Sequence, residues 1–339
     1  MAIKSINEIL PKLDLNVTNR CNFRCTHCAF DSGLIKIPEL SLKEIKKILK
    51  ETEKLGGQRI DITGGEATLR KDIFKILKIT KRLNYQAELV TNGSLITKEI
   101  LEKLKKIGLD SIAISLDGSD YEKYKKIRKT NYRTYKKVLQ TINNALEIGL
   151  KTKINTTVFE SNYKDIPKIT KWCIKSGINE HGLYYFTPVG RGNRSSEKAV
   201  EPLKWLKFIR KKMKPFRKEK IKISLELPLI EKKFWDKSLG CIANTSRSHL
   251  QILPDGNVYP CAILASYYRP ISNLKNTSIK RIWKNKKLWA AYWKKIKRIF
   301  KDQKGYCVNF KDAFNIKNYP SKKYGFVCPL RKFSLQEIP

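Results

Sequence analysis

From Leu13 to about Thr187, short apolar runs alternate with longer segments in which apolar positions recur every three or four residues. The short runs have the length and β-branched content of buried strands, and the longer ones carry the stripe of amphipathic helices. Strands are predicted at Lys12–Val17, Arg59–Thr63, Gln86–Thr91, Ser111–Leu116, Lys153–Val158 and Gly182–Phe186. Helices are predicted at Leu42–Leu55, Lys71–Leu83, Lys98–Ile107, Arg133–Ile148 and Asp165–Ser176. The punctuation agrees: Ser41 with Glu44 forms a capping box, and Gly56, Gly108, Gly149 and Gly177 sit where helices should stop. Six strand-and-crossover units predict an α/β chain with a parallel sheet, two units short of a closed eightfold barrel.

Beyond residue 200 a helical stretch at Leu203–Met213 leads into a basic bridge around Lys214–Lys222, and the character changes at Gly240. His249–Leu253, the turn Pro254-Asp255-Gly256-Asn257 and Val258–Cys261 read as a hairpin opening a small α+β domain. The expected organisation is therefore a barrel over 1–200, a helical and basic bridge over 201–239 and a second domain over 240–339. Within the last, Trp289, Tyr292, Trp293, Ile296 and Phe300 form one stripe opposite many lysines. Such a stripe is core contact, or alternatively a grip for nucleic acid or an acidic peptide.

Composition narrows the class. With 339 residues and 41% hydrophobic content, the chain can bury one large core and one smaller one. No stretch approaches the ~20 apolar residues of a membrane span, and no signal sequence opens the chain, so the expected location is cytoplasmic. Eight cysteines in such a chain point to metal ligation in a reducing setting rather than to a disulfide framework. The formal charge of +40 reflects either lysine filling solvated helix faces or a surface that attracts acidic partners.

The chemistry concentrates where strands end. Cys21, Cys25 and Cys28 follow the first strand, and their spacing lets one loop wrap a metal cluster. Thiolates suit iron-sulfur clusters or zinc, and three of them leave one corner of a four-iron cube open. His27 could instead complete a structural zinc site. Gly64-Gly65-Glu66 follows the second strand; its glycines allow close backbone approach, and its carboxylate can accept from an ammonium. The third strand runs into Thr91-Asn92-Gly93, and the fourth ends with Ser115 and Asp117 on one side. Cys173, beside Trp172, reads as core, and His181 and His249 as ordinary polar residues. Arg191 and Arg194 could grip a substrate carboxylate.

These residues resemble the radical S-adenosylmethionine (radical SAM) family, whose cluster motif matches Cys21, Cys25 and Cys28 and whose methionine-binding loop matches Gly64-Gly65-Glu66. The resemblance spans roughly residues 10–195 and extends to Thr91–Gly93 and Pro188–Gly192. It implies a partial (β/α)6 TIM-like barrel, a 4Fe-4S cluster on the three cysteines with S-adenosylmethionine on its open iron, Glu66 at the amino group, Asn92 beside the cofactor, and Ser115 and Asp117 at the ribose. Gly256 and Cys261 preceded by Cys241 resemble the SPASM or twitch auxiliary-cluster domain of that family. That likeness implies one auxiliary 4Fe-4S cluster on Cys241, Cys261, Cys307 and Cys328. The implied activity is reductive cleavage of S-adenosylmethionine and hydrogen abstraction from a ribosomal peptide or protein side chain, with ferredoxin or flavodoxin as electron donor. Two alternatives stand beside it: modification of a small carboxylated cofactor or haem precursor, and a zinc-dependent nucleic-acid-binding protein. No catalytic residue beyond the cofactor ligands is singled out.

Overall fold

The computed structural model describes residues 12–231, 250–266, 268–299, 324–326 and 332–338. Six strands run parallel in chain order: β1 (Lys12–Asn16), β2 (Arg59–Thr63), β3 (Gln86–Thr91), β4 (Ser111–Ser115), β5 (Thr152–Val158) and β6 (Glu180–Tyr185). Between them lie α1 (Leu42–Lys54), α2 (Ile73–Arg82), α3 (Lys98–Ile107), α4 (Tyr121–Arg128), α5 (Tyr132–Glu147) and α6 (Ile166–Lys175). This is the expected α/β partial barrel, and α4 is an addition to it. Ser41 caps α1 reciprocally with Glu44, whose carboxylate accepts from Ser41 N at 2.7 Å.

Period-two alternation assigns the two faces of the sheet. One face carries Leu13, Leu15, Ile60, Ile62, Ala87, Leu89, Ile112 and Ile114, all fully buried in one core with Ile45, Leu49, Ile76, Leu77 and Leu101 of the helices. Each such side chain contributes about 1.5–3 kcal/mol of transfer free energy. The other face is polar. Lys12 pairs with Asp14 at 3.0 Å and Asp61 at 2.6 Å, and Lys153 lies 3.5 Å from Glu88 and 3.6 Å from Glu180. Lys12, Asp61, Glu88, Lys153 and Glu180 line a cavity of about 620 Å³ at the N-terminal end of the strands. A barrel whose lumen is lined by charged residues stays open, whereas branched apolar side chains would fill it.

The sheet does not stop at residue 200. α7 (Pro202–Phe208) leads on to β7 (Lys222–Glu226), which pairs parallel with β6 inside the stretch expected to be a basic bridge. Ile223 and Leu225 are buried there, but flanking lysines hide the strand pattern. The expected hairpin is present as Leu250–Ile252 and Asn257–Tyr259, with Gly256 at φ +87° in its turn. Its first strand pairs parallel with β1, with Leu13 opposite Leu250, so one continuous sheet crosses the expected boundary at Gly240. Gln251 Nε2 donates to Asn16 Oδ1 at 2.8 Å across that junction.

The aromatic stripe turns inward. Trp289, Tyr292 and Ile296 are buried, Trp289 Nε1 donates to Ile282 O at 3.0 Å, and its ring meets Trp283 edge-on. Core contact accounts for those residues, and a nucleic-acid grip on them is not supported; Phe300 lies outside the described residues. Cys173 is core, as expected. His181, by contrast, is fully buried between Thr156 Oγ1 and Thr170 Oγ1, each 3.0 Å from a ring nitrogen.

Burial pulls the His181 imidazole down to about 3 from its ordinary 6.5. On acidification the unfolded chain therefore takes up this proton first, and stability is lost as pH falls from about 6.5 towards 3. In His181→Asn the acid limb of stability against pH, followed by urea denaturation, is expected to be shallower by up to about one proton. An unchanged slope would contradict the buried neutral ring. Gln251→Ala is expected to lower stability by about 1–3 kcal/mol, because it orphans the buried Asn16 amide. A wild-type urea midpoint would contradict the continuous sheet.

Candidate metal and cofactor site

β1 runs into the thiol loop and β2 into Gly64-Gly65-Glu66, both at the C-terminal edge of the sheet. Pairing between the two chains outlasts the strands. Val17 N donates to Thr63 O at 2.9 Å, Gly65 N to Thr18 O at 2.9 Å and Glu66 N to Arg20 O at 2.8 Å. A Cβ on Gly65 would stand 2.3 Å from Arg20 O, so only glycine permits this approach. Arg70, buried, ties the base together by donating to Val17 O and Leu40 O, each at 2.7 Å. On the far side, Arg191 N donates to Cys28 O at 2.9 Å, and its guanidinium donates to Cys25 O at 3.0 Å and Ser32 O at 2.9 Å. Arg191, which could have gripped a substrate carboxylate, is thus a brace for the thiol loop. Arg194 bonds Asp31 Oδ1 at 2.7 Å.

Cys25 is buried, and Cys21 and Cys28 are partly exposed. Each sulfur has a donor aimed at it: Phe23 N to Cys21 at 3.4 Å, Ser32 N to Cys28 at 3.3 Å and Arg128 Nη1 to Cys25 at 3.7 Å. Soft thiolates on one loop, each supported by an N–H, fit an iron-sulfur cluster, whose charge such donors stabilise. Burial pushes the Cys21 thiol up to about 11 and raises Cys25, so metal loading must displace protons. His27 stacks edge-on to Phe159, with Nε2 3.8 Å from Asp117 Oδ2, and burial lowers it to about 4. Its ring is engaged on the β4 side. The zinc alternative gains nothing from this geometry.

Glu66 is fully buried. Its Oε1 accepts from Thr68 N at 3.1 Å, Thr68 Oγ1 at 2.7 Å and Thr91 Oγ1 at 2.8 Å, and its Oε2 from Asn92 N at 2.7 Å. Glu66 thereby fastens its loop to the end of β3, while Oε2 keeps capacity to accept from an ammonium. Asn92 in turn donates to Asn22 Oδ1 of the thiol loop at 2.9 Å. Ser115 ends β4 in register with Asn155, whose buried Oδ1 has no hydrogen-bond partner among the described residues.

Asp117, expected at the ribose, has protein partners at this site. It is fully buried, accepts from Thr157 N at 2.7 Å and lies 2.5 Å from Arg128 Nε as a charge contact. Its carboxylate holds Arg128 against Cys25. Arg128 itself went unread because α4 (sequence YEKYKKIR) buries only Tyr124, Ile127 and Arg128, too few apolar positions for a helical stripe. The available signal was Asp120, which caps α4 by accepting from Lys123 N at 3.0 Å. Of the four cysteines expected at an auxiliary cluster, Cys261 is buried at the start of the helix Ala262–Ala265. Cys241, Cys307 and Cys328 lie outside the described residues, as does His249.

Known families match both halves. The Radical SAM superfamily model matches residues 15–173, and the SPASM iron-sulfur cluster-binding domain matches residues 241–309. A probable GTP 3',8-cyclase of Saccharolobus solfataricus is 32% identical over 213 residues, 60% of this chain and 68% of that protein. The AdoMet-dependent heme synthase of Methanosarcina barkeri is 25% identical over 291 residues, 79% of this chain and 80% of that protein. Among solved structures, Streptococcus suis SuiB bound to S-adenosylmethionine superposes with TM-score 0.71 at 19% identity, covering 84% of this chain and 68% of SuiB. Native anSMEcpe with bound AdoMet superposes with TM-score 0.65 at 18% identity, covering 82% of this chain and 81% of that one.

Gly65→Ala is expected to push the thiol loop away from β2, lowering stability by about 1–3 kcal/mol and cutting iron bound after anaerobic reconstitution. Wild-type iron content and stability in this variant would contradict the close packing.

Proposed function

This chain belongs to the radical SAM superfamily and carries a SPASM iron-sulfur domain, and from that premise we propose how its own residues serve the chemistry. When bound, a 4Fe-4S cluster and S-adenosylmethionine would supply one-electron reductive cleavage of the sulfonium and, through it, hydrogen abstraction from the substrate. Cys21, Cys25 and Cys28 would hold the cluster. Gly64, Gly65 and Glu66 would seat the methionine end of the cofactor, with Asn92 fixing that loop and Ser115 lining the cofactor's path. Arg128, held by Asp117, would balance the charge at Cys25. The observation that carries this reading is the backbone zipper joining the thiol loop to Gly65 and Glu66, which makes the cluster and cofactor residues one rigid unit.

The substrate is read as a side chain of a ribosomal peptide or protein. The charge of +40 suits an acidic leader. SuiB, with the same fold, is seen bound to its precursor peptide SuiA. A second reading, a small carboxylated haem precursor, draws on the likeness to the heme synthase over four-fifths of both chains. Cys241, Cys261, Cys307 and Cys328 would hold the auxiliary cluster, and a ferredoxin or flavodoxin would supply electrons in a reducing cytoplasm. No described helix is long and apolar enough to cross a membrane.

Anaerobic incubation with S-adenosylmethionine and titanium(III) citrate is expected to yield 5'-deoxyadenosine, read by mass spectrometry, and Cys21→Ala to give none. Wild-type protein that yields none overturns the assignment. Cys261→Ala is expected to keep this cleavage and lose substrate product. Loss of both activities would count against an auxiliary role. Product from a peptide encoded beside the gene supports the first substrate reading, and product from Fe-coproporphyrin the second.

A further inference from the structure

Lysine covers so many helix faces that charge alone selects none of them. The face of α4 differs from the rest in what lies beneath it. Its inner side meets the thiol loop directly: Thr26 N donates to Ile127 O at 2.9 Å, and Arg128 reaches Cys25. Its outer side carries Lys125 and Lys126, with Lys129 just past its end, all exposed. Beside them is a groove of about 720 Å³ whose lining includes Asn22, Phe23, Tyr121, Lys125, Lys126 and Lys129. Asn22 and Phe23 lie between the first two thiols of the loop, and Phe23 N is the donor to Cys21 Sγ. Phe23, in the groove's lining, is thus two residues from both Cys21 and Cys25, while the lysines of the same lining make the groove cationic. Glu122 pairs with Lys125 at 3.2 Å, but both are exposed and the pair is worth little. None of the residues lining the cavity at the N-terminal end of the strands lines the groove.

We infer that this groove is the docking site for a small acidic protein that delivers single electrons at low potential. The inference rests on the radical SAM reading and adds to it the place where electrons enter. In the transfer the carrier is oxidised by one electron and the cluster on Cys21, Cys25 and Cys28 is reduced by one; no bond or proton passes between the proteins. A carrier must come close to the cluster for its electron to cross, and no more than the thiol loop separates this groove from Cys21. A positive rim steers an acidic partner and raises its association rate, most strongly at low salt.

The test compares two electron sources for 5'-deoxyadenosine formation by the iron-loaded enzyme: titanium(III) citrate, which needs no docking, and a reduced acidic flavodoxin as probe. Two triple charge reversals are made, Lys125→Glu, Lys126→Glu and Lys129→Glu on the groove, and Lys46→Glu, Lys47→Glu and Lys50→Glu on the exposed face of α1. The groove variant is expected to lose about tenfold or more in kcat/KM for flavodoxin and to flatten its salt dependence. Its iron content and titanium-driven rate should stay at wild type, and the α1 variant should lose far less. The single substitution Lys126→Glu should move in the same direction. Equal losses in the two triple variants, or none in the groove variant, overturn the docking site. A fall in iron content or in the titanium-driven rate overturns it too, by making the face structural. If wild type forms no 5'-deoxyadenosine even with titanium, the radical SAM reading fails and takes the docking site with it.

Discussion

Three backbone hydrogen bonds, from Val17 to Thr63, Gly65 to Thr18 and Glu66 to Arg20, carry the register of β1 and β2 past the ends of the strands into the loops. Everything at the site depends on this extension. It requires a residue without a side chain at 65, because a Cβ there would overlap Arg20 O. It sets the thiol loop against the cofactor loop at a spacing that the sheet dictates. Glu66 then links the cofactor loop to β3, Asn92 links β3 back to Asn22, and Arg191 closes the circuit from the Pro188–Gly192 loop. Loops at the end of a barrel are ordinarily its most mobile parts, and here the thiol loop is tied to three others.

The same sheet separates two chemistries by side-chain alternation. Apolar residues face the helices and supply the stability, while Asp61, Glu88, Lys153 and Glu180 face the lumen and keep it open. Burying such charges costs more than filling the barrel with branched side chains, and the cost is offset only where they pair. The cavity is therefore space retained at the expense of stability, at the end of the strands opposite the thiol loop.

Much of this was legible in the chain. Strands Arg59–Thr63 and Gln86–Thr91 and helix Lys98–Ile107 appear with the bounds their periodicity predicts, because each has an unbroken apolar pattern closed by a turn residue. The thiol and glycine motifs were legible because they need those residue types at those spacings. What stayed hidden was governed by long-range contacts. β7 is flanked by lysines and becomes a strand only through β6, and α4 has too few apolar positions to declare itself. Asp117 and Arg191 carry side chains suited equally to a ligand or to a neighbour. Only their folded surroundings, Arg128 for one and the carbonyls of Cys25 and Ser32 for the other, decide in favour of the neighbour.

The central claim is that three thiolates hold a cluster whose open iron binds S-adenosylmethionine. Electron paramagnetic resonance of the anaerobically reconstituted, reduced protein tests it most directly, recorded with and without S-adenosylmethionine. The account predicts a reduced 4Fe-4S signal that changes shape when S-adenosylmethionine is added, a change absent from Cys28→Ala. A signal indifferent to S-adenosylmethionine, or zinc in place of iron on these thiols, would contradict it.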